Sequence, residues 1–146
     1  MLPVTFNRII RTVFKGKDTE IHPGKVMTKI LIVDDDKGAT GLIETIVLSI
    51  GYEPIVVNES SKAMDVAKRI NPDLILLDLM MPQPTGFQLC RMLRATPGFR
   101  FTPIIIITAL DDTDSKLVAF GAGANDYITK PFHVGDLLEK MREFLD

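Results

Sequence analysis

The chain has a single cysteine and two histidines in 146 residues, and none of its apolar runs approaches the roughly 20 residues a bilayer span requires. Each scarcity excludes something. Cys90 stands alone, so no intrachain disulfide can form, and a reducing cytoplasm is the natural compartment. The first 14 residues lack the long apolar stretch and small-residue cleavage site of a secretory signal. No glycine-rich phosphate loop or dinucleotide fingerprint is present, so ATP is not an expected direct ligand. His22 and His133 lack the neighbours that would make a metal site, and Cys90 is expected to pack on a helix. The formal charge of -2 carries no bias toward nucleic acid, and no repeat or low-complexity tract interrupts the chain.

What is present is unevenly distributed. Arg8, Arg11, Lys15, Lys17, Lys25 and Lys29 face only Asp18 and Glu20 in the first 29 residues, a net +4 that leaves -6 for the remainder. Leu2, Phe6, Ile9, Ile10, Val13 and Phe14 fall on one helical face and Arg8, Arg11 and Lys15 on the other, which predicts a short basic amphipathic helix. A charged stretch with Gly16, Pro23 and Gly24 follows as a linker. Residues 1–27 therefore read as an extension and residues 28–146 as one domain of ordinary size. The extension admits three uses: contact with a partner or membrane, packing on its own domain or a dimer mate, or none. Packing within protein is the commoner use of such a face.

From Thr28 onward, short β-branched runs alternate with helical patterns, the signature of a parallel sheet covered on both faces. Strands are expected at 29–33, 53–57, 74–78, 103–108 and 126–129, and helices at 37–50, 61–70, 85–95, 112–121 and 134–145. Ser60 or Ser61 can cap the second helix, Asn71-Pro72 stops it, and Thr85 can cap the third. The runs at 74–78 and 103–108 are apolar at nearly every position, as in central strands buried on both sides.

Four of the five strands end in residues able to handle phosphate or metal: Asp34, Asp35 and Asp36; Asp78; Thr108; and Lys130. Ligands of open α/β sheets bind outside the carboxyl ends of the strands, so folding gathers these groups at one rim. Adjacent carboxylates repel unless a cation offsets them, which suggests Mg²⁺. A carboxylate beside that ion can attack a phosphoryl group, and the acyl phosphate formed needs donors and positive charge such as a threonine hydroxyl and an ammonium. Singly, each residue has an ordinary alternative: a helix cap for an aspartate, β propensity for Thr108, a solvated charge for Lys130. All four together at four strand ends leave those alternatives improbable. A cis bond at Lys130-Pro131 could turn the lysine into the site.

Residues 28–146 resemble the receiver domain of two-component response regulators, chemotaxis regulators among them. The resemblance rests on Lys29-Ile-Leu-Ile-Val-Asp-Asp-Asp36, Pro72-Asp-Leu-Ile-Leu-Leu-Asp-Leu-Met-Met-Pro82, Pro103-Ile-Ile-Ile-Ile-Thr-Ala109 and Gly123-Ala-Asn-Asp-Tyr-Ile-Thr-Lys-Pro-Phe132. It implies a flavodoxin-like α/β fold: a doubly wound five-stranded parallel sheet of order 2-1-3-4-5 with helices on both faces. It further implies Asp78 as phosphoacceptor, with Mg²⁺ held by Asp34, Asp35, Asp78 and the Met80 carbonyl. Thr108 and Lys130 would contact the phosphoryl oxygens, Thr108 and Tyr127 would switch together, and Asp36 would stand aside. The phosphoryl donor implied is a phosphohistidine on a sensor histidine kinase or histidine phosphotransfer protein. Gln83, Pro84 and Thr85 depart from the commonest loop pattern before Gly86, and apolar Met80 and Leu110 stand where polar side chains can orient an attacking water, which predicts slow self-dephosphorylation.

Two rivals remain. A haloacid-dehalogenase-like phosphatase would use Asp34 as nucleophile and Asp36 as acid, but Gly38 breaks its motif and only 16 residues follow Lys130. A phosphorylation-independent interaction module would not need the complete set. The expectation is thus a phosphoacceptor signalling domain rather than an enzyme, with output through residues 112–145 to an unidentified protein. The chain ends at Asp146, directly after the fifth predicted helix, so as given it reads as a stand-alone receiver or an excised fragment, with no output domain and no direct nucleic-acid contact expected and a homodimer allowed.

Overall fold

A computed structural model describes residues 27–146. The amphipathic helix and linker expected before Met27 lie outside the described residues. Five strands alternate with five helices: β1 (Lys29–Val33), α1 (Lys37–Ser49), β2 (Glu53–Val57), α2 (Ala63–Ile70), β3 (Leu74–Leu77), α3 (Gly86–Ala95), β4 (Ile104–Thr108), α4 (Thr113–Gly121), β5 (Asp126–Thr129) and α5 (Val134–Leu145). All pairings are parallel and the sheet order is β2-β1-β3-β4-β5, as the resemblance implies.

The period of two along each strand divides the core into two layers. Leu31, Val33, Ile75, Leu77, Ile104 and Ile106 face Ala63 and Ala67 of α2, Leu89, Cys90 and Leu93 of α3, and Ala119 of α4. Ile30, Ile32, Leu74, Leu76, Ile105 and Ile107 face Ile43, Ile46 and Val47 of α1 and Leu137, Leu138 and Met141 of α5. Strands β3 and β4 are buried along their whole length. Each buried leucine or isoleucine contributes about 1.5–3 kcal/mol, so these layers supply most of the force that fixes the strand ends. Cys90 is fully buried on α3, with its thiol 3.5 Å from the Ala122 carbonyl.

The expected boundaries shift by a residue at several ends, and at α2 the reason is specific. A 3₁₀ turn, Ser60–Lys62, precedes that helix, and neither serine caps it. The Ser60 hydroxyl instead donates to the Pro82 carbonyl at 2.8 Å, a tertiary bond the local sequence could not announce. Asn71 ends α2 in the left-handed conformation (φ 51°). Thr85 caps α3 through a reciprocal capping box with Gln88. Among the described residues no helix is long and apolar enough to cross a membrane.

Candidate functional site

The β1 and β3 ladders continue one residue past the strands and carry two aspartates to the carboxyl rim. The Asp34 N–H donates to the Val57 carbonyl at 3.2 Å, and the Asp78 N–H to the Val33 carbonyl at 3.0 Å. Both residues are almost fully buried, at 2 % and 7 % exposure, whereas Asp35 is exposed. Oxygens of Asp34, Asp35 and Asp78 nevertheless lie within 4.8 Å of one another. Such an all-oxygen donor set suits a hard divalent cation.

β5 delivers the counter-charge. The Lys130 N–H donates to the Thr108 carbonyl at 2.8 Å, and its ammonium lies 2.6 Å from Asp34 Oδ2 and 3.3 Å from Asp78 Oδ2. The Lys130–Pro131 peptide is cis, as the sequence allowed, and so is Gln83–Pro84. The one ammonium thus bridges two buried carboxylates, and the ionisation of both Asp34 and Lys130 is shifted. Burial is the largest influence on Asp34 and pushes its carboxyl up, with the Asp78 charge adding to the rise against the Lys130 and Asp36 hydrogen bonds. Burial would lower Lys130, but its hydrogen bond to Asp34 and the field of Asp78 outweigh that and hold its ammonium above the ordinary lysine range.

Thr108 ends β4 at the same rim, since β3–β4 pairing sets Leu77 opposite Ile106. Its hydroxyl is fully buried and is the buried side-chain polar atom left without a hydrogen-bond partner among the described residues. An unpartnered buried donor is costly to the fold, which makes it a place where an absent ligand oxygen would fit. The remaining candidates lie at the margin. Asp36 caps α1, accepting from the Gly38 and Ala39 N–H groups, so its carboxylate is committed away from the rim. Tyr127 donates its hydroxyl to the Leu110 carbonyl at 2.6 Å, two residues beyond Thr108, and its ring stands 6.3 Å from that of Phe120. Met80 is exposed, and its N–H donates to Asp78 Oδ1 at 3.1 Å.

Three supports were not singled out by sequence reasoning. Gly86, noted only as a family match, lets α3 approach the phosphoacceptor loop: a Cβ there would sit 2.0 Å from the Asp78 carbonyl oxygen. Arg94 of α3 donates to the Gly123, Phe99 and Thr102 carbonyls and to Asn125 Oδ1, at 2.6–2.9 Å. Asn58 follows β2 and donates to the Asp34 carbonyl and the Thr40 hydroxyl. It is the polar residue at the fifth strand end, and extending the strand-end pattern to β2 would have found it.

Residues 30–142 match the model of the response regulator receiver domain. The DNA-binding dual master transcriptional regulator RpaA of Synechocystis is 37% identical over 119 residues, covering 82% of this chain and 49% of RpaA. The DNA-binding response regulator MtrA of Mycolicibacterium smegmatis is 36% identical over 114 residues, covering 78% and 49%. The chain spans about half the length of these relatives. Among solved structures, chemotaxis protein CheY4 of Vibrio cholerae superposes with a TM-score of 0.78 at 28% identity, over 82% of this chain and all of that one. The receiver domain of sensor histidine kinase PA1611 of Pseudomonas aeruginosa, with a magnesium ion coordinated in its active-site cleft, gives 0.76 at 31%, over 82% and 98%.

One expectation is overturned. Nucleic acid was excluded on net charge and on where the chain stops, yet the relatives are DNA-binding regulators about half covered by this chain. Net charge and the point where the chain stops describe these 146 residues alone and do not exclude nucleic acid as a partner. Within that span the strand order, the acidic rim and the matching residues agree: the chain belongs to the response regulator receiver domain family.

Proposed function

We propose that this domain accepts a phosphoryl group on Asp78 in a Mg²⁺-dependent reaction and acts as a switch rather than as a turnover enzyme. The observation that carries the reading is the buried, unpartnered hydroxyl of Thr108, whose main chain is bonded to that of Lys130, the residue whose ammonium bridges Asp34 and Asp78. Asp34, Asp35, Asp78 and the Met80 carbonyl are the groups suited to hold the ion, which when bound would neutralise charge on the phosphoryl oxygens. An Asp78 carboxylate oxygen attacks phosphorus, the bond from phosphorus to the donor's imidazole nitrogen breaks, and its electron pair leaves with the imidazole. Lys130 then pairs with a phosphoryl oxygen, and Thr108 donates to another.

The donor we infer is a phosphohistidine on a histidine kinase or phosphotransfer protein, acting in the cytoplasm. Tyr127 is tied through its hydroxyl to Leu110, so movement of Thr108 toward a phosphoryl group would be felt along residues 108–110 and by that tyrosine, next to α4. This supports output through residues 112–145. The likeness to RpaA and MtrA supports a DNA-binding regulator as the setting of that output. Residues 28–146 form the receiver in this reading, and residues 1–27 an extension to it. The phosphatase alternative loses support because the Asp36 carboxylate caps α1 and both Asp34 oxygens are engaged.

Incubation with acetyl phosphate and Mg²⁺ tests the proposal. A mass gain of one phosphoryl group, abolished by Asp78→Asn and by chelation, is expected. Labelling that persists in Asp78→Asn would overturn it, and steady hydrolysis of phosphate esters by that variant would revive the phosphatase.

A further inference from the structure

The turn after β2 touches both loops that would hold the ion. Asn58 leaves β2 with its amide nitrogen 2.9 Å from the Asp34 main-chain oxygen and 3.0 Å from Thr40 Oγ1. The carbonyl can only accept, which fixes the amide orientation, and Thr40 spends its own proton on the Lys37 carbonyl. With the Asp34 N–H on the Val57 carbonyl, Asp34 is gripped on both sides of its main chain by Val57 and Asn58. Two residues on, the buried Ser60 hydroxyl donates to the Pro82 carbonyl at 2.8 Å. Pro82 lies in the loop that leaves Asp78 and carries Met80, whose N–H binds Asp78 Oδ1. One short segment therefore ties the acidic loop to the loop after the phosphoacceptor, while touching no carboxylate itself.

We propose that Asn58 and Ser60 are positioning residues that set the spacing of these two loops, and through it the affinity of the rim for Mg²⁺. The proposal rests on the phosphoacceptor reading above. Groups that orient metal ligands without binding the metal characteristically change affinity about 10- to 100-fold when removed. Two ligand loops that must meet within a few ångströms are sensitive to a loss of bracing, because Mg²⁺ demands near-ideal octahedral geometry.

The test is Mg²⁺ titration of the full chain by calorimetry, for wild type, Asn58→Ala, Ser60→Ala and Ser60→Thr. Melting of each without Mg²⁺ is recorded alongside. Each alanine variant is expected to bind Mg²⁺ about 10-fold more weakly. The Mg²⁺ concentration for half-maximal acetyl phosphate labelling should rise by the same factor, with the rate at saturating Mg²⁺ retained. Ser60→Thr keeps the hydroxyl and should restore wild-type affinity. If Asn58→Ala does not fold, Thr40→Val removes the acceptor from the other side and is expected to weaken binding likewise. A purely structural role would lower the Mg²⁺-free melting temperature and leave affinity unmoved, and that result overturns the proposal. Wild type that fails to bind Mg²⁺ overturns it together with the reading beneath it, whereas tight binding by wild type and variants alike overturns the brace alone.

Discussion

Gly86→Ala sets two effects of opposite sign against each other. Helix propensity favours alanine, by at most about 1 kcal/mol, so a helix considered alone would gain stability. The tertiary structure says otherwise: the added Cβ would lie 2.0 Å from the Asp78 carbonyl oxygen and 2.5 Å from Leu79 Cα. An unstrained carbon-to-oxygen approach is about 3.3 Å or more, so α3 and the Asp78 loop must part by about 1 Å. Neither side yields cheaply, because the obstruction is backbone, held by the Gly86 N–H on the Leu79 carbonyl at 3.1 Å and by the Thr85–Gln88 capping box. Overpacking of this kind costs about 1–3 kcal/mol, and with a propensity gain of about 1 kcal/mol subtracted a net loss of up to about 2 kcal/mol is expected in urea unfolding. The same shift moves the phosphoacceptor, and a misplacement near 1 Å can cost on the order of 100-fold in rate, so acetyl phosphate labelling should slow at least about tenfold. A variant as stable as wild type that labels at the same rate would refute the argument, since propensity would then have prevailed and the contact with Asp78 would not be tight.

Lys130→Met leaves two buried carboxylates without a cation and should lose about 3 kcal/mol in Mg²⁺-free urea unfolding, with a large part recovered on adding Mg²⁺. Unchanged Mg²⁺-free stability would show the pair to be solvated. Thr108→Val replaces an unpartnered buried hydroxyl by a methyl of similar shape and should gain about 1 kcal/mol without Mg²⁺ while labelling falls; destabilisation would mean the hydroxyl is bonded and not free for a phosphoryl oxygen. Arg94→Lys cannot reproduce a fork that reaches four acceptors, so a loss of about 2–3 kcal/mol in denaturant unfolding is expected, and near-neutrality would refute the clamp. Phosphoryl label on the Mg²⁺-bound protein should outlast that of fast chemotaxis-type receivers, because Met80 and Leu110 offer no polar group to a water; loss within seconds would contradict this.

Strand existence was legible because the buried strands are apolar at consecutive positions, a pattern few alternatives satisfy. Strand ends were legible to within a residue because the apolar run and the polar residue that stops it mark the same boundary, as at Val33–Asp34 and Leu77–Asp78. Side chains that bond across the chain were not legible. Ser60 looked like a helix cap, since a serine before a helix usually is one, and its hydroxyl turned instead to Pro82. The clamp at Arg94 gave no signal, because helix periodicity reports which face is buried, not that carbonyls from 99, 102 and 123 converge on one position.

Composition and pattern alone thus determined the class of fold and the residue types at its rim, because burial period and strand-end chemistry are local properties of the chain. Only the tertiary structure decided how those groups divide their work. Three successive aspartates look equivalent in sequence, yet backbone direction after β1 buries Asp34 against Lys130, leaves Asp35 exposed beside it and spends Asp36 on capping α1. The distinction arises from the place of β1 between β2 and β3: Val57 and Asn58 hold the Asp34 main chain from the end of β2, and Lys130, 96 positions away, holds its carboxylate.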